Sequence, residues 1–139
     1  MNLYQDSALK LAGDELTHYC HKASVEAGWW KDITTGADFA AEVRNGTRLG
    51  KALVAEKLCL IHSEISEAME GHRKGLSDDK LPHRLQIEVE LADAVIRIAD
   101  LAGALGLDLG GAIAEKIRFN EHRPDHRLEN RAAAFGKAY

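Results

Sequence analysis

Apolar residues recur along this chain at helical spacing, and strand-like alternation never lasts more than a few residues. Between Asp6 and Glu26, the positions Leu9, Leu16, Tyr19 and Ala23 predict a first long helix. The looser stretch GWWKDITTGADFAAEVRNG follows, punctuated by Gly28, Gly36 and Gly46, with a short helix expected over 37–44. A second long helix is expected to start after Thr47, a good N-cap, and to end near Gly75. The third is expected from about Pro82, a residue suited to a first turn, to Gly106. The fourth follows Asp108 as cap and runs to about His122, because Pro124 cannot continue it. From about 124 to 139 the chain reads as a partly helical arm. The expectation is one all-α domain over 1–139, a bundle of four main helices.

Polar residues then complicate the two middle helices. On the second, Leu58, Ile61, Ile65, Ala68 and Met69 trace an apolar arc, and Glu64 and Glu67 fall at its edge with Leu60 between them. The third, LQIEVELADAVIRIADLAGAL, is apolar nearly all round, so it is expected to be buried centrally or at an interface between copies. Yet Glu90, Asp93 and Asp100 share one narrow stripe with Arg97, and Asp100 is expected to pair with Arg97 or else to serve as a cation ligand. A buried carboxylate without a partner costs several kcal/mol, so these groups need counter-charges or a cation. The short connection between the helices predicts antiparallel packing, which would bring Glu64, Glu67, Glu90 and Asp93 together. Four hard oxygen donors suit Mg²⁺, with Mn²⁺ as a substitute, and such ions suit phosphate chemistry. A di-iron bundle would use Glu-x-x-His pairs, which neither acidic helix has.

Composition narrows the function classes. The chain has 139 residues, enough for a real core, and a net charge of −4, which argues against a nucleic-acid polymer as partner. Basic residues do gather near the C-terminus (Lys116, Arg118, Arg123, Arg127, Arg131 and Lys137), so a small anionic ligand stays open. Two cysteines, Cys20 and Cys59, make neither a disulfide scaffold nor a zinc knuckle, and no apolar run is long enough for a membrane span. A cytoplasmic protein with no membrane association is expected.

EISE at 64–67 and ELAD at 90–93, separated by about two dozen residues, resemble the paired motifs of the MazG-like all-α nucleoside triphosphate pyrophosphohydrolases. The flanks LCLIHSEISEAMEGHRKG and EVELADAVIRIADLAGALGLDL look like the small phage and bacterial members. EKIRFNEHRP is similar to the family's Lys-x-x-x-Asn-x-x-Arg pattern at Lys116, Asn120 and Arg123. GKAY resembles its C-terminal Gly-Lys-x-aromatic, and AGWWKD its aromatic segment. Ser63 stands where some relatives have an acid, and the basic stretch between Pro124 and Gly136 is longer than the family's.

The resemblance implies cleavage between the α- and β-phosphates, giving a nucleoside monophosphate and pyrophosphate, for nucleotide-pool control or house-cleaning. Glu64, Glu67, Glu90 and Asp93 would then be the catalytic metal ligands. Lys116, Asn120, Arg123 and Lys137 would bind the nucleotide's phosphates and sugar, and Trp29 or Trp30 would stack on its base. Either Glu67 or Glu70 would activate the attacking water. A homodimer or homotetramer is expected. The alternatives are a dUTPase-like or phosphoribosyl-ATP pyrophosphohydrolase of the same fold, or a non-catalytic helical oligomerisation module whose acids set pairing specificity.

Overall fold

A computed structural model describes residues 3–133 and 135. Lys137, expected above to bind phosphate, lies outside them. The described residues are helical, with two isolated β-bridges, Lys31 to Asp38 and Ser77 to Leu85, as their only β pairing. The helices are α1 (Leu3–Glu26), α2 (Phe39–Arg44), α3 (Arg48–Lys74), α4 (Gln86–Leu105), α5 (Leu109–Glu121) and α6 (Leu128–Ala132), with a 3₁₀ turn at Pro124–His126. No helix among the described residues is long and apolar enough to cross a membrane. Packing divides the chain into two compact units: Glu15–Leu107, and the residues up to Asp14 together with those from Asp108 on.

Caps set most of the helix limits. The Thr47 hydroxyl accepts the Gly50 amide at 3.0 Å and starts α3, and Asp108 accepts the Gly111 amide at 2.9 Å and starts α5. Gly75 and Gly106 end α3 and α4 in the left-handed region, at φ 63° and 67°, where a side chain would be strained. The start of α4 differs from expectation. Pro82 sits in a turn four residues ahead of the helix, held because the Asp78 carboxylate accepts the amides of Lys80 and Leu81 at 3.0 and 2.5 Å. Its backbone amide also donates to Arg84, which pins both ends of that turn.

The larger unit is built on the α3–α4 pair. Gly50, Lys57, Glu64 and Gly71 recur every seventh residue along α3, with Val54, Ile61 and Ala68 between them, and all are buried or half-buried. Of the apolar arc expected from the wheel, Ile61 and Ala68 lie on this covered seam, whereas Leu58, Ile65 and Met69 are exposed. Small residues let the helices approach: a Cβ on Gly71 would lie 2.8 Å from Gln86 Cβ. The apolar core joins Trp30, Ala40, Val43, Leu101 and Ala104, with Phe39, Leu53, Val54 and Ile61 against it. On α4 the buried residues include Ala94, Ala99, Leu101 and Ala104, whereas Leu91, Val95, Ile96 and Ile98 stay exposed in the single chain. The first half of the helix is covered on one side only, whereas from Ala99 to Leu105 it is buried or half-buried all round.

Candidate metal centre and adjoining cavity

Antiparallel packing of α3 on α4 brings Glu64, Glu90 and Asp93 together, with one oxygen of each within 4.8 Å of the others. Glu64 and Glu90 are buried, 6 % and 8 % exposed, and Asp93 is partly open. Glu67, one turn beyond Glu64, is exposed and outside this tight trio, although its charge is felt at Glu90. Arg97 Nε donates to Glu64 Oε1 at 2.6 Å. One guanidinium therefore answers four carboxylates.

The electrostatic consequence appears at Glu90. Its carboxyl is pushed above the ordinary carboxylate range, first by desolvation, then by a hydrogen bond with Glu64 and the like charges of Glu67 and Glu64. A site that resists a third negative charge is short of cations. Three carboxylate oxygens within 4.8 Å are of the donor type that hard divalent ions take, so the trio could hold a metal ion. Glu70 takes no part: Arg73 at 2.6 Å and Lys74 hold its carboxylate and keep its pKa low, Lys74 contributing most.

The expected Arg97–Asp100 pair does not form, because Arg97 turns to Glu64. Asp100 is instead buried in the lining of a cavity of about 600 Å³ in the same unit. Its Oδ1 accepts Trp30 Nε1 at 2.7 Å and lies 2.9 Å from His21 Nδ1. Lys57 Nζ stands 3.7 Å from Asp100 Oδ2 and 4.5 Å above the Trp30 ring. Gly103 makes room for this arrangement, since a Cβ there would lie 2.5 Å from His21 Cβ.

The cavity is walled by Trp29, Ile33, Phe39, Leu53, Leu60 and Ile96, and Asp93 and Arg97 border it. It therefore meets the acid cluster at Asp93. Of the two tryptophans, Trp30 is buried, with one face under Lys57 and His21 edge-on at 5.7 Å. Trp29, 71 % exposed, is the ring with surface left for a ligand. The role of Trp30 can be measured. Trp30→Phe keeps the ring but removes the donor to a buried carboxylate, a bond worth about 1.5–3 kcal/mol. We expect a lower denaturant midpoint with an unchanged slope in equilibrium unfolding; an unchanged midpoint would mean the indole N–H is not needed.

The other expected nucleotide ligands lie on or just after α5, in the other unit. Lys116 Nζ sits 4.7 Å from the Phe119 ring, Asn120 Oδ1 is buried without a hydrogen-bond partner among the described residues, and Arg123 is held by both oxygens of Asp125. Sequence reasoning passed over Lys57, and it assigned Asp100 the wrong partner. A signal existed: Lys57 lies seven residues before Glu64 and Asp100 seven after Asp93, the spacing of two helical turns on one face. No protein-family model, curated protein or solved structure matches this chain.

Proposed function

We propose that this protein is a metal-dependent nucleoside triphosphate pyrophosphohydrolase of the MazG-like type, releasing pyrophosphate and a nucleoside monophosphate. The observation that supports it most is the union, within one unit, of the Glu64–Glu90–Asp93 cluster with an aromatic cavity that Asp93 also lines. The cluster suits phosphate, and the cavity suits a base. Trp29 supplies a stacking face, a contact worth about 1–3 kcal/mol per base.

A divalent cation at the cluster would neutralise phosphate charge and acidify an attacking water. Glu64, Glu90 and Asp93 would hold it, and Glu67, exposed one turn away, would accept the proton from the water. Arg97 keeps Glu64 oriented and places positive charge on the cavity wall beside Asp93, where the phosphates would lie. Lys116, Asn120 and Arg123 are proposed as further nucleotide contacts on the motif resemblance. Incubation with a panel of nucleotides under Mg²⁺ and then Mn²⁺ tests the proposal. Pyrophosphate release from at least one is expected, and silence across the panel with both ions would sink it.

A homo-oligomer is part of the proposal. Leu58, Ile65 and Met69 each follow a seam residue of α3, and Leu91 and Val95 each follow a buried residue of α4. In an antiparallel pair those positions share one face of the two-helix layer. An apolar face of this kind is normally covered by a partner. Sedimentation equilibrium should show a dimer or tetramer, and Ile65→Asp should shift it to monomer. A monomeric parent chain would remove this part.

A further inference from the structure

Lys57 and Asp100 have hydrogen-bonding capacity that the protein itself does not use. The Lys57 ammonium has three donors, yet it makes no hydrogen bond among the described residues; its nearest carboxylate oxygen is 3.7 Å away. Asp100 Oδ1 is engaged by Trp30 and His21, while Oδ2 accepts no hydrogen bond there. Both side chains line the cavity, and both are largely shielded, 17 % and 6 % exposed. A cationic donor and an anionic acceptor therefore stand side by side in an apolar, aromatic chamber.

Their place in the fold says which part of a ligand they meet. Lys57 precedes Glu64 by seven residues on α3, and Asp100 follows Asp93 by seven on α4. In the antiparallel pair, the Lys57–Asp100 layer lies two turns from the acid cluster, about 10 Å along the helices at 1.5 Å per residue. That is the order of the reach from an α-phosphate through a ribose to the far edge of a base.

Resting on the nucleotide reading above, we propose that Lys57 and Asp100 are the base-reading pair of the cavity, and that they select bases presenting a carbonyl beside a ring N–H. Lys57 donates to the carbonyl oxygen, and Asp100 Oδ2 accepts the ring N–H. Hypoxanthine, guanine, uracil and thymine carry that edge. Adenine and cytosine present an amine beside a bare ring nitrogen, which offers the ammonium no carbonyl oxygen there and the carboxylate no ring N–H. Trp30 and His21 act one step back, fixing the Asp100 carboxylate from its other oxygen. The selection follows because a buried polar group denied its partner forfeits a charge-assisted bond.

Inosine and adenosine nucleotides differ at this edge alone, which makes them the direct probes. For the parent chain with Mg²⁺, kcat/KM for inosine triphosphate should exceed that for adenosine triphosphate by about 10–100-fold. Lys57→Met, which keeps the length and loses the charge, should lower that ratio, leaving only the part that Asp100 contributes. Lys57→Arg should restore much of it, which a purely structural lysine would not predict. Calorimetric titration with inosine and adenosine monophosphates reads the same preference without turnover. Equal ratios in parent and Lys57→Met, with hydrolysis intact, would overturn the base-reading role and leave the proposed activity standing. Preferential, Lys57-dependent inosine monophosphate binding without hydrolysis would keep this pair and overturn the activity. No binding of either monophosphate and no hydrolysis would overturn both.

Discussion

At neutral pH and without divalent cations, Glu90→Gln should raise the melting temperature, by roughly 2–6 °C on the usual scaling for a domain of this size. The same variant should lose the stabilisation that Mg²⁺ gives the parent chain, and its turnover should fall by at least about 100-fold. The buried Glu90 carboxyl has a folded-state pKa above its unfolded value of 4.5 because of desolvation and the neighbouring acids. A group of that kind stabilises fully below the unfolded value, and its contribution is lost as pH rises through the raised one. At neutral pH the metal-free fold thus disfavours the charged form that the unfolded chain adopts, and glutamine removes that penalty while keeping the size. Near pH 4 the two proteins should melt alike, since Glu90 is already protonated there. A cation reverses the balance for the parent by binding the folded form alone. If the acids were only a pairing device, Mg²⁺ would leave both melting curves where they are. Thermal scans of the two proteins at two pH values, with and without Mg²⁺, decide it.

The second large effect belongs to the scaffold. Gly50 sits in the first turn of α3, and a Cβ there would lie 2.1 Å from the Glu42 carbonyl oxygen and 2.8 Å from Val43 Cα. Alanine in place of glycine gains about 1 kcal/mol of helix propensity. The clash is with backbone, so no flexible side chain can swing away, and overpacking of this kind costs about 1–3 kcal/mol or more. The clash wins. Gly50→Ala should be destabilised by about 1–3 kcal/mol in equilibrium unfolding. Because α2 and the start of α3 carry Phe39 and Leu53 of the cavity wall, weaker nucleotide binding should accompany the loss. A variant as stable as the parent would show that α2 does not pack as described.

Helix limits were legible wherever a single residue type does the work. Thr47, Asp108, Gly75 and Gly106 cap or terminate as their chemistry requires. The start of α4 was not, because Pro82 is equally at home in a turn, and the deciding bonds come from the Asp78 side chain. Three of the four expected acids, Glu64, Glu90 and Asp93, were legible for a different reason: carboxylates on two helices joined by a short connection leave few other arrangements, although Glu67 lies outside the trio. The face of α3 was partly misread because its seam runs through Gly50, Lys57, Glu64 and Gly71, which no apolar count selects. Asp100 shows the general limit. Arg97, three residues away, was the nearest candidate partner, whereas the actual ones, His21 and Trp30, are 79 and 70 residues distant.

That distance also explains why the cavity was invisible in the sequence. Its walls come from the end of α1, the Trp29–Ile33 stretch, α2, α3 and α4, and only folding unites them. The tryptophan pair was noticed, but the division of labour within it follows from burial: Trp30 anchors Asp100, and Trp29 faces outward.

Phosphorus NMR of one reaction reads directly which phosphate bond is broken. Purified protein is mixed with Mg²⁺ and inosine triphosphate, and the phosphorus signals are followed to completion. The account predicts equimolar inosine monophosphate and pyrophosphate, with the reaction halted by a chelator. Inosine diphosphate with orthophosphate, or cleavage that persists in excess chelator, would contradict it.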